Sequence, residues 1–413
     1  MKTIYLDNNA TTAVAPEVRE AILPYLGDLY FNPSSMYQQA VQVAGALNQA
    51  QEDIAEFLGG VFPDEILFTS GATESNNTAL YGSVRANPAR RHIVTSAVEH
   101  PAILEVVKDL ERTGCEVSVV PVDENGNLDM REFVGALRPD TLLVSIMHAN
   151  NESGVIFPIN ELARIVKETS PEILFHSDAT QSVGKVPINL RSEYADVDLL
   201  SFSGHKLHAP KGIGALYVKR GTALRPYLVG GHQQQGRRAG TENAAFIVGL
   251  AKACKLAAQC HAQEEPRITA MRDKLERELT TRIPFVHVSG KGAPRLGNTL
   301  NISFHYIEGE GILYQLNEHG ICASSGSACT SGSLDPSHVL KAMGVPFTAL
   351  HGSVRFSLSR YTSEDEIDEI IKVLPEIVQK LRRLSPYWDQ AKQQPRPGAP
   401  RGEVFDDRAK HPV

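Results

Sequence analysis

Cysteine is scarce in this sequence and odd in number: Cys115, Cys254, Cys260, Cys322 and Cys329 are the only five in 413 residues. No two form a Cys-x-x-Cys pair. A disulfide framework is therefore not expected, nor is a structural zinc site, and at least one thiol can matter for its own chemistry. Long apolar runs are missing too. The stretch MKTIYLDNNATT has only Ile4, Tyr5 and Leu6 in a row, too short for a signal-peptide core, and no later run would span a bilayer. Excess positive charge is also absent. Lys and Arg number 41 against 48 Asp and Glu, a net charge of −7, and they are spread along the chain. This leaves no footprint for nucleic acid or an anionic membrane. The expectation is a soluble, cytoplasmic protein without nucleic-acid or membrane partners. What the chain does have is length and apolar content, 42% hydrophobic, enough for a large core and two or three domains.

From about residue 60 to 220, short apolar runs alternate with longer amphipathic stretches. The runs are Ile66–Thr69, His92–Ser96, Val117–Val120, Leu142–Met147, Ile173–His176, Leu199–Phe202 and Ile213–Val218. Their length and β-branched content predict strands, and the alternation predicts an α/β domain with a largely parallel sheet. The loop between the last two leaves room for an antiparallel edge. A helical stretch, Ala244–Leu279, carries Pro266 as an expected break and a domain boundary. A second α+β block follows, with strands at Thr299–Phe304 and Gly352–Ser359. In the latter, Arg355 shares a polar face with Ser357 and Ser359. Ser363-Glu-Asp-Glu366 is a capping box that opens a helix bearing Ile367, Ile370, Ile371 and Leu374, which Pro375 should kink or split. The division expected is a large domain at 15–258 and a smaller α+β domain made of 1–14 and 259–388. A mobile cysteine loop spans 323–335, and 389–413, rich in Pro, Gln, Gly and charge, reads as a disordered tail.

Ligands of open α/β sheets bind beyond the carboxyl ends of the strands. After Ile66–Thr69, a Gly-containing turn enters a helix and offers free N–H groups plus the Thr73 hydroxyl, either for a phosphate or as an ordinary helix start. His100 precedes Pro101 at a helix N-terminus, as an acid–base or stacking group or as a cap. Asn150 is either a donor to a ligand oxygen or a turn residue. Asp178 lies so close behind an apolar run that it needs a cationic partner. Lys206 follows a strand end by only Ser203, Gly204 and His205, so partial desolvation can free its amine. Each has a plain structural explanation alone. Together they supply what a pyridoxal phosphate enzyme needs: a lysine for the aldehyde, an acid for the ring nitrogen and a phosphate cradle. Asp178 precedes Lys206 by about one βαβ unit (~30 residues). Lys211, between Pro210 and Gly212, is the rival lysine. Cys329 sits in Ala323-Ser-Ser-Gly-Ser-Ala-Cys-Thr-Ser-Gly-Ser333, a segment too small and polar to pack a core, where an exposed thiol invites chemistry. The other four cysteines read as packing residues.

These residues together resemble the cysteine desulfurases of the fold-type I, class V aminotransferase group, from Tyr5-Leu-Asp-Asn-Asn-Ala-Thr-Thr12 to about Trp388. The motifs are Thr69-Ser-Gly-Ala-Thr-Glu-Ser75, Ser201-Phe-Ser-Gly-His-Lys206, Arg238-Ala-Gly-Thr-Glu-Asn243 and Ser324-Ser-Gly-Ser-Ala-Cys-Thr-Ser-Gly332. Leu334–Ile367 and Leu384-Ser-Pro-Tyr-Trp388 look most like the nitrogen-fixation type. The resemblance implies that Lys206 carries pyridoxal phosphate as a Schiff base, Asp178 binds its ring nitrogen and Gln181 its hydroxyl. Ala72, Thr73, Ser203, Gly204 and His205 would surround the phosphate, and Thr241 would reach that of a second subunit in a homodimer. His100 would stack and move protons, while Asn150 and Arg355 hold the carboxylate of L-cysteine. Cys329 would take the sulfur as a persulfide for an iron–sulfur scaffold protein, and could ligate a cluster shared with it. A class V aminotransferase, a selenocysteine lyase and a non-catalytic scaffold of the same fold remain as alternatives.

Overall fold

The computed structural model describes residues 3–325 and 336–400. Its centre is a seven-stranded sheet. The strands in chain order are β2 (Ile66–Thr69), β3 (His92–Ser96), β4 (Glu116–Val120), β5 (Thr141–Ser145), β6 (Leu174–Asp178), β7 (Leu199–Ser203) and β8 (Gly214–Val218), with β1 (Ile4–Tyr5) lying elsewhere. Across the sheet the order is β2-β8-β7-β6-β5-β3-β4. All pairs are parallel except those of β8, which is antiparallel to both β7 and β2. The antiparallel strand is thus not the edge expected from the loop before it. It lies one strand in, and β2 covers it. Strands run apolar on both faces because helices cover both. Along β8, Ala215 and Tyr217 enter one core and Leu216 and Val218 the other.

On the first face pack α1 (Pro16–Leu26), α2 (Gln38–Phe57) and later helices. On the second are α3 (Ala72–Ala86) and α4 (Pro101–Arg112). The helices α5 (Met130–Ala136) and α6 (Ile159–Thr169) return to the first face. Next comes α7 (Ala244–Arg282), which Pro266 does not break. Its first half buries Leu250 and Cys254 in the sheet core and its second half buries Met271, Leu275 and Leu279 in a separate core. Anchoring at both ends outweighs the one lost hydrogen bond at the proline.

The separate core joins Ile4 and Leu6 to residues 271–378. It contains β9 (Val286–Val288), β10 (Thr299–Phe304), α8 (Gly309–Glu318), β11 (Ile321–Cys322), β12 (Ser353–Ser357) and α11 (Glu364–Leu384). β10 pairs with β9 and β12, and β1 with β11. Between them α9 (His338–Ala342) and α10 (Phe347–Leu350) pack instead on the sheet core, through Val339, Leu340, Ala349 and Leu350. The Ser363–Glu366 capping box forms, and α11 runs on through Pro375 because Leu374, Ile377 and Val378 are held in the core. The tail differs from expectation up to residue 400. β13 (Trp388–Asp389) and β14 (Gln394–Pro395) form a short hairpin. The Trp388 ring, 2% exposed, anchors it against Phe285 and beneath the Arg382 guanidinium. Residues 401–413 lie outside the described residues. Cys115 and Cys254 are buried as expected of packing residues, whereas Cys260 and Cys322 are only half-buried. Among the described residues no helix is long and apolar enough to cross a membrane.

Candidate active site

Strands β2, β3, β5, β6 and β7 end at one edge of the sheet, and a cavity of about 930 Å³ opens there. Ala72, Thr73, His100, Asp178, Gln181, Ser203, His205, Lys206 and Arg355 all line it. Gly204 stands just behind, where a Cβ would meet Ile213 and Ala209 within about 3.0 Å. The turn into α3 lies against β8. A Cβ on Gly214 would sit 2.7 Å from the Gly71 Cα, so the close approach requires glycine there. The first N–H groups of α3 have no intrahelical acceptor. The acid in that first turn, Glu74, is paired with Arg238 at 2.8 Å. Negative charge at the helix start is thus neutralised, which favours an anion beside it.

Asp178 ends β6 and is 5% exposed. It accepts from Asn76 Nδ2 at 2.7 Å and from the Thr180 N–H at 2.9 Å. No cation pairs with it among the described residues, contrary to the ion pair its position called for. A buried carboxylate facing a cavity without such a partner fits a ligand that carries an N–H⁺. Three other residues of the wall leave buried polar atoms unpartnered: Asn76 Oδ1, Thr180 Oγ1 and Arg355 Nε. The wall is therefore built for a polar guest.

Lys206 follows β7 in a 3-10 turn and donates to the Asn9 and Ala10 carbonyls at 2.6 and 2.7 Å. Lys211 also reaches the cavity wall, but only Lys206 stands in that turn. Burial, then Lys206, Lys211 and Lys185, push the His205 pKa down to about 4, so its ring is neutral. The His100 pKa is lowered chiefly by burial, with Lys206 and His338 adding and Asp178 opposing. The ring caps α4, Nδ1 accepting from the Ala102 N–H at 3.1 Å, which leaves the proton of the neutral ring on Nε2. Arg355 is 2% exposed and donates to Asp7 Oδ1 at 2.8 Å and to the Asn151 carbonyl at 2.9 Å.

Besides Gly204, two predicted residues do not line this cavity. Asn150 is buried behind it: Nδ2 donates to the Val98 carbonyl, and Oδ1 accepts from the Glu152 and Ser153 N–H groups. Its neighbours Asn151 and Glu152 are on the wall instead. Thr241 is exposed in the loop before α7. Cys329 lies outside the described residues, but both flanks are at the cavity. Ser324 pairs through its backbone with Arg355, and Pro336, Ser337 and His338 are on the wall. Sequence reasoning missed Asp7, Asn9, Asn151, Glu152 and His338. The only signal was the Asx-rich Asp7-Asn8-Asn9 behind an apolar triplet, which cannot pack a core. Among the described residues no His, Cys, Asp and Glu cluster could hold a metal ion. A lysine, an unpaired buried carboxylate, two neutral histidines and a free helix start fit pyridoxal phosphate.

The aminotransferase class-V family pattern matches residues 4–370. The cysteine desulfurase of Trichormus azollae is 54% identical over 400 residues, 95% of this chain and 99% of that one. The cysteine desulfurase NifS of Azotobacter vinelandii is 51% identical over 388 residues, 94% and 96% of the two chains. Among solved structures, one named NIFS-like protein has a TM-score of 0.86 at 38% identity, covering 92% of this chain and all of its own. A NifS-like protein from Rickettsia africae has a TM-score of 0.82 at 31% identity, covering 91% and 99%.

Proposed function

The chain belongs to the aminotransferase class-V family, among relatives named cysteine desulfurase, and from that premise we propose that it is a pyridoxal-phosphate enzyme taking sulfur from L-cysteine. The observation that carries this reading is Lys206 and the unpaired Asp178 on one cavity wall at the strand ends. When bound, the cofactor supplies an electron sink for the bond-breaking at the substrate Cα.

The chain's own groups divide the rest. Asp178 would hold the ring nitrogen protonated, and Gln181 would meet the ring hydroxyl. The α3 start, Thr73, Ser203 and His205 would hold the phosphate. Arg355 grips the substrate carboxylate, for which its remaining N–H groups are suited. Lys206 as free amine takes the Cα proton. The proton on His100 Nε2 faces the reaction as a donor, so the ring returns a proton more readily than it removes one. The Cys329 thiolate then forms a bond to the substrate sulfur as the carbon–sulfur bond breaks. The electron pair stays with the carbon fragment, which is protonated to alanine, and Cys329 keeps the sulfur as a persulfide. Three residues lie between Ser325 and Cys329, so four Cα steps give a reach of at most about 14 Å.

Thr241, exposed and off this chain's own cavity, suits completion of a second copy's phosphate site. Exposed Met36 (98%) and Val229 (82%) support a homodimer surface. The sulfur acceptor is an iron–sulfur scaffold protein of the nitrogen-fixation type, and the separation of the third core from the two on the sheet supports the division into 15–258 and 1–14 with 259–388, α9 and α10 excepted. Cys329→Ala tests the reading. It should keep the visible absorbance of the bound cofactor yet yield neither alanine nor sulfide from cysteine. Full desulfuration by that variant would overturn it.

A further inference from the structure

Lys185 lies four residues beyond Gln181, in the run of turns that follows β6. Its Nζ donates to both the Gln181 carbonyl and Gln181 Oε1, each at 3.0 Å. On the other side of the same amide, Nε2 donates to the Asn9 carbonyl at 3.0 Å. A carbonyl can only accept, so the group facing Asn9 must be the NH₂ and the group facing the amine must be the oxygen. The two partners together fix the amide orientation. One Nε2 hydrogen is left over, and Gln181 lines the cavity beside Asp178 and Thr180. The Asn9 carbonyl also accepts from Lys206 Nζ. One hydrogen-bonded chain therefore runs from Lys185 through Gln181 and Asn9 to Lys206.

We propose that Lys185 is a positioning residue: it locks the Gln181 amide so that the cavity is offered an N–H donor, and couples that amide to Lys206 through the Asn9 carbonyl. The partner of that donor is an oxygen acceptor on the cofactor ring, and to this extent the proposal rests on the pyridoxal-phosphate reading. No carboxylate pairs with Lys185 among the described residues, so its amine is not there to balance a charge. Burial, then the Lys206 and Arg355 cations, lower its pKa to about 7. The lock does not depend on that proton, because a neutral amine still has two hydrogens for the two Gln181 oxygens.

The test is a double-variant cycle on the full chain loaded with pyridoxal phosphate: Lys185→Met, Gln181→Ala and both together. The readouts are the position of the visible band and the apparent cofactor affinity by absorbance titration. Lys185→Met should weaken affinity about tenfold, the worth of one lost hydrogen bond of this kind, and shift the band as Gln181→Ala does. The double variant should go no further than Gln181→Ala. A wild-type band and affinity in Lys185→Met, or losses that multiply in the double variant, would overturn the proposal. Should Lys185→Met fail to fold by circular dichroism, Lys185→Gln, too short to reach both oxygens, enters the same cycle. Absence of any visible band in the wild-type chain would instead remove the cofactor reading itself.

Discussion

The wall of the cavity formed by the sheet and the wall facing it hold their polar groups by different means. On the sheet side, Asp178 and Ser203 are the last residues of β6 and β7, and Lys206 follows β7 in one tight turn. Ladder hydrogen bonds place them. On the facing side, Asp7, Asn9, Asn151 and Arg355 come from segments far apart in the chain and hold one another. Arg355 bonds Asp7 and Asn151, and Asn9 bonds Thr299 and Asn151. A substitution on the sheet side should therefore delete a function with little movement of its neighbours, the Asn9 contacts of Lys206 and Gln181 excepted. One on the facing side should loosen several groups together.

The largest effects should come from the sheet wall. Lys206→Ala should abolish the visible absorbance of lysine-bound cofactor and all turnover; an unchanged spectrum would break the comparison at its centre. Asp178→Ala should follow, weakening cofactor affinity by about a hundredfold or more, the scale for removing one partner of a buried charge pair. Absorbance titration measures it.

The facing wall should answer in a different parameter. Arg355→Lys should raise KM for cysteine about ten- to hundredfold while leaving the band in place, because a charged hydrogen-bonding fork is lost and the cofactor contacts are not. Asp7→Asn should show the same pattern more weakly, about three- to tenfold, through a less firmly held Arg355. A band shift in either variant would mean that the two walls are not separable.

The same contrast sets how much was legible in the sequence. The sheet wall could be read because apolar runs mark strands and strand ends mark sites. Lys206, Asp178, Thr73 and Ser203 all sit where that rule puts them. Boundaries slipped by a residue or two: Leu142–Met147 is Thr141–Ser145 in the structure. That slip size is enough to swap Asn150 for Asn151, since only folded backbone geometry tells which asparagine the turn consumes. The facing wall left no local pattern. Asn8 bonds the Ser357 carbonyl 349 residues away, and Arg355 reaches Asp7 across nearly the same span. Pro266 and Pro375 misled for a related reason, as tertiary packing outweighs a local helix penalty.

Glu99 is buried behind the cavity, bonded to Met147 and His338 of its lining, and gives the smallest and subtlest prediction. Its Oε1 accepts from Ser96 Oγ and the Met147 N–H, its main-chain oxygen bonds the His338 ring, and its Oε2 is buried without a partner. Burial, opposed by the Met147 and Ser96 hydrogen bonds and aided by the Asp178 charge, pushes its pKa up to about 8. The folded protein thus holds this proton more tightly than the unfolded chain, whose carboxyl titrates near the ordinary value of about 4.3. The stabilisation is fully present below that unfolded value. It falls as pH rises toward 8 and is gone above it. Glu99→Gln keeps the shape of the protonated acid and cannot ionise. Its thermal stability should match the wild type near pH 4 and exceed it at pH 8–9 by on the order of 1–3 kcal/mol. Melting curves across that range measure the difference. A wild-type protein as stable as Glu99→Gln at pH 9 would mean that the carboxylate finds a partner once it ionises, so that the lining around Met147 and His338 is held by charge as well as by hydrogen bonds.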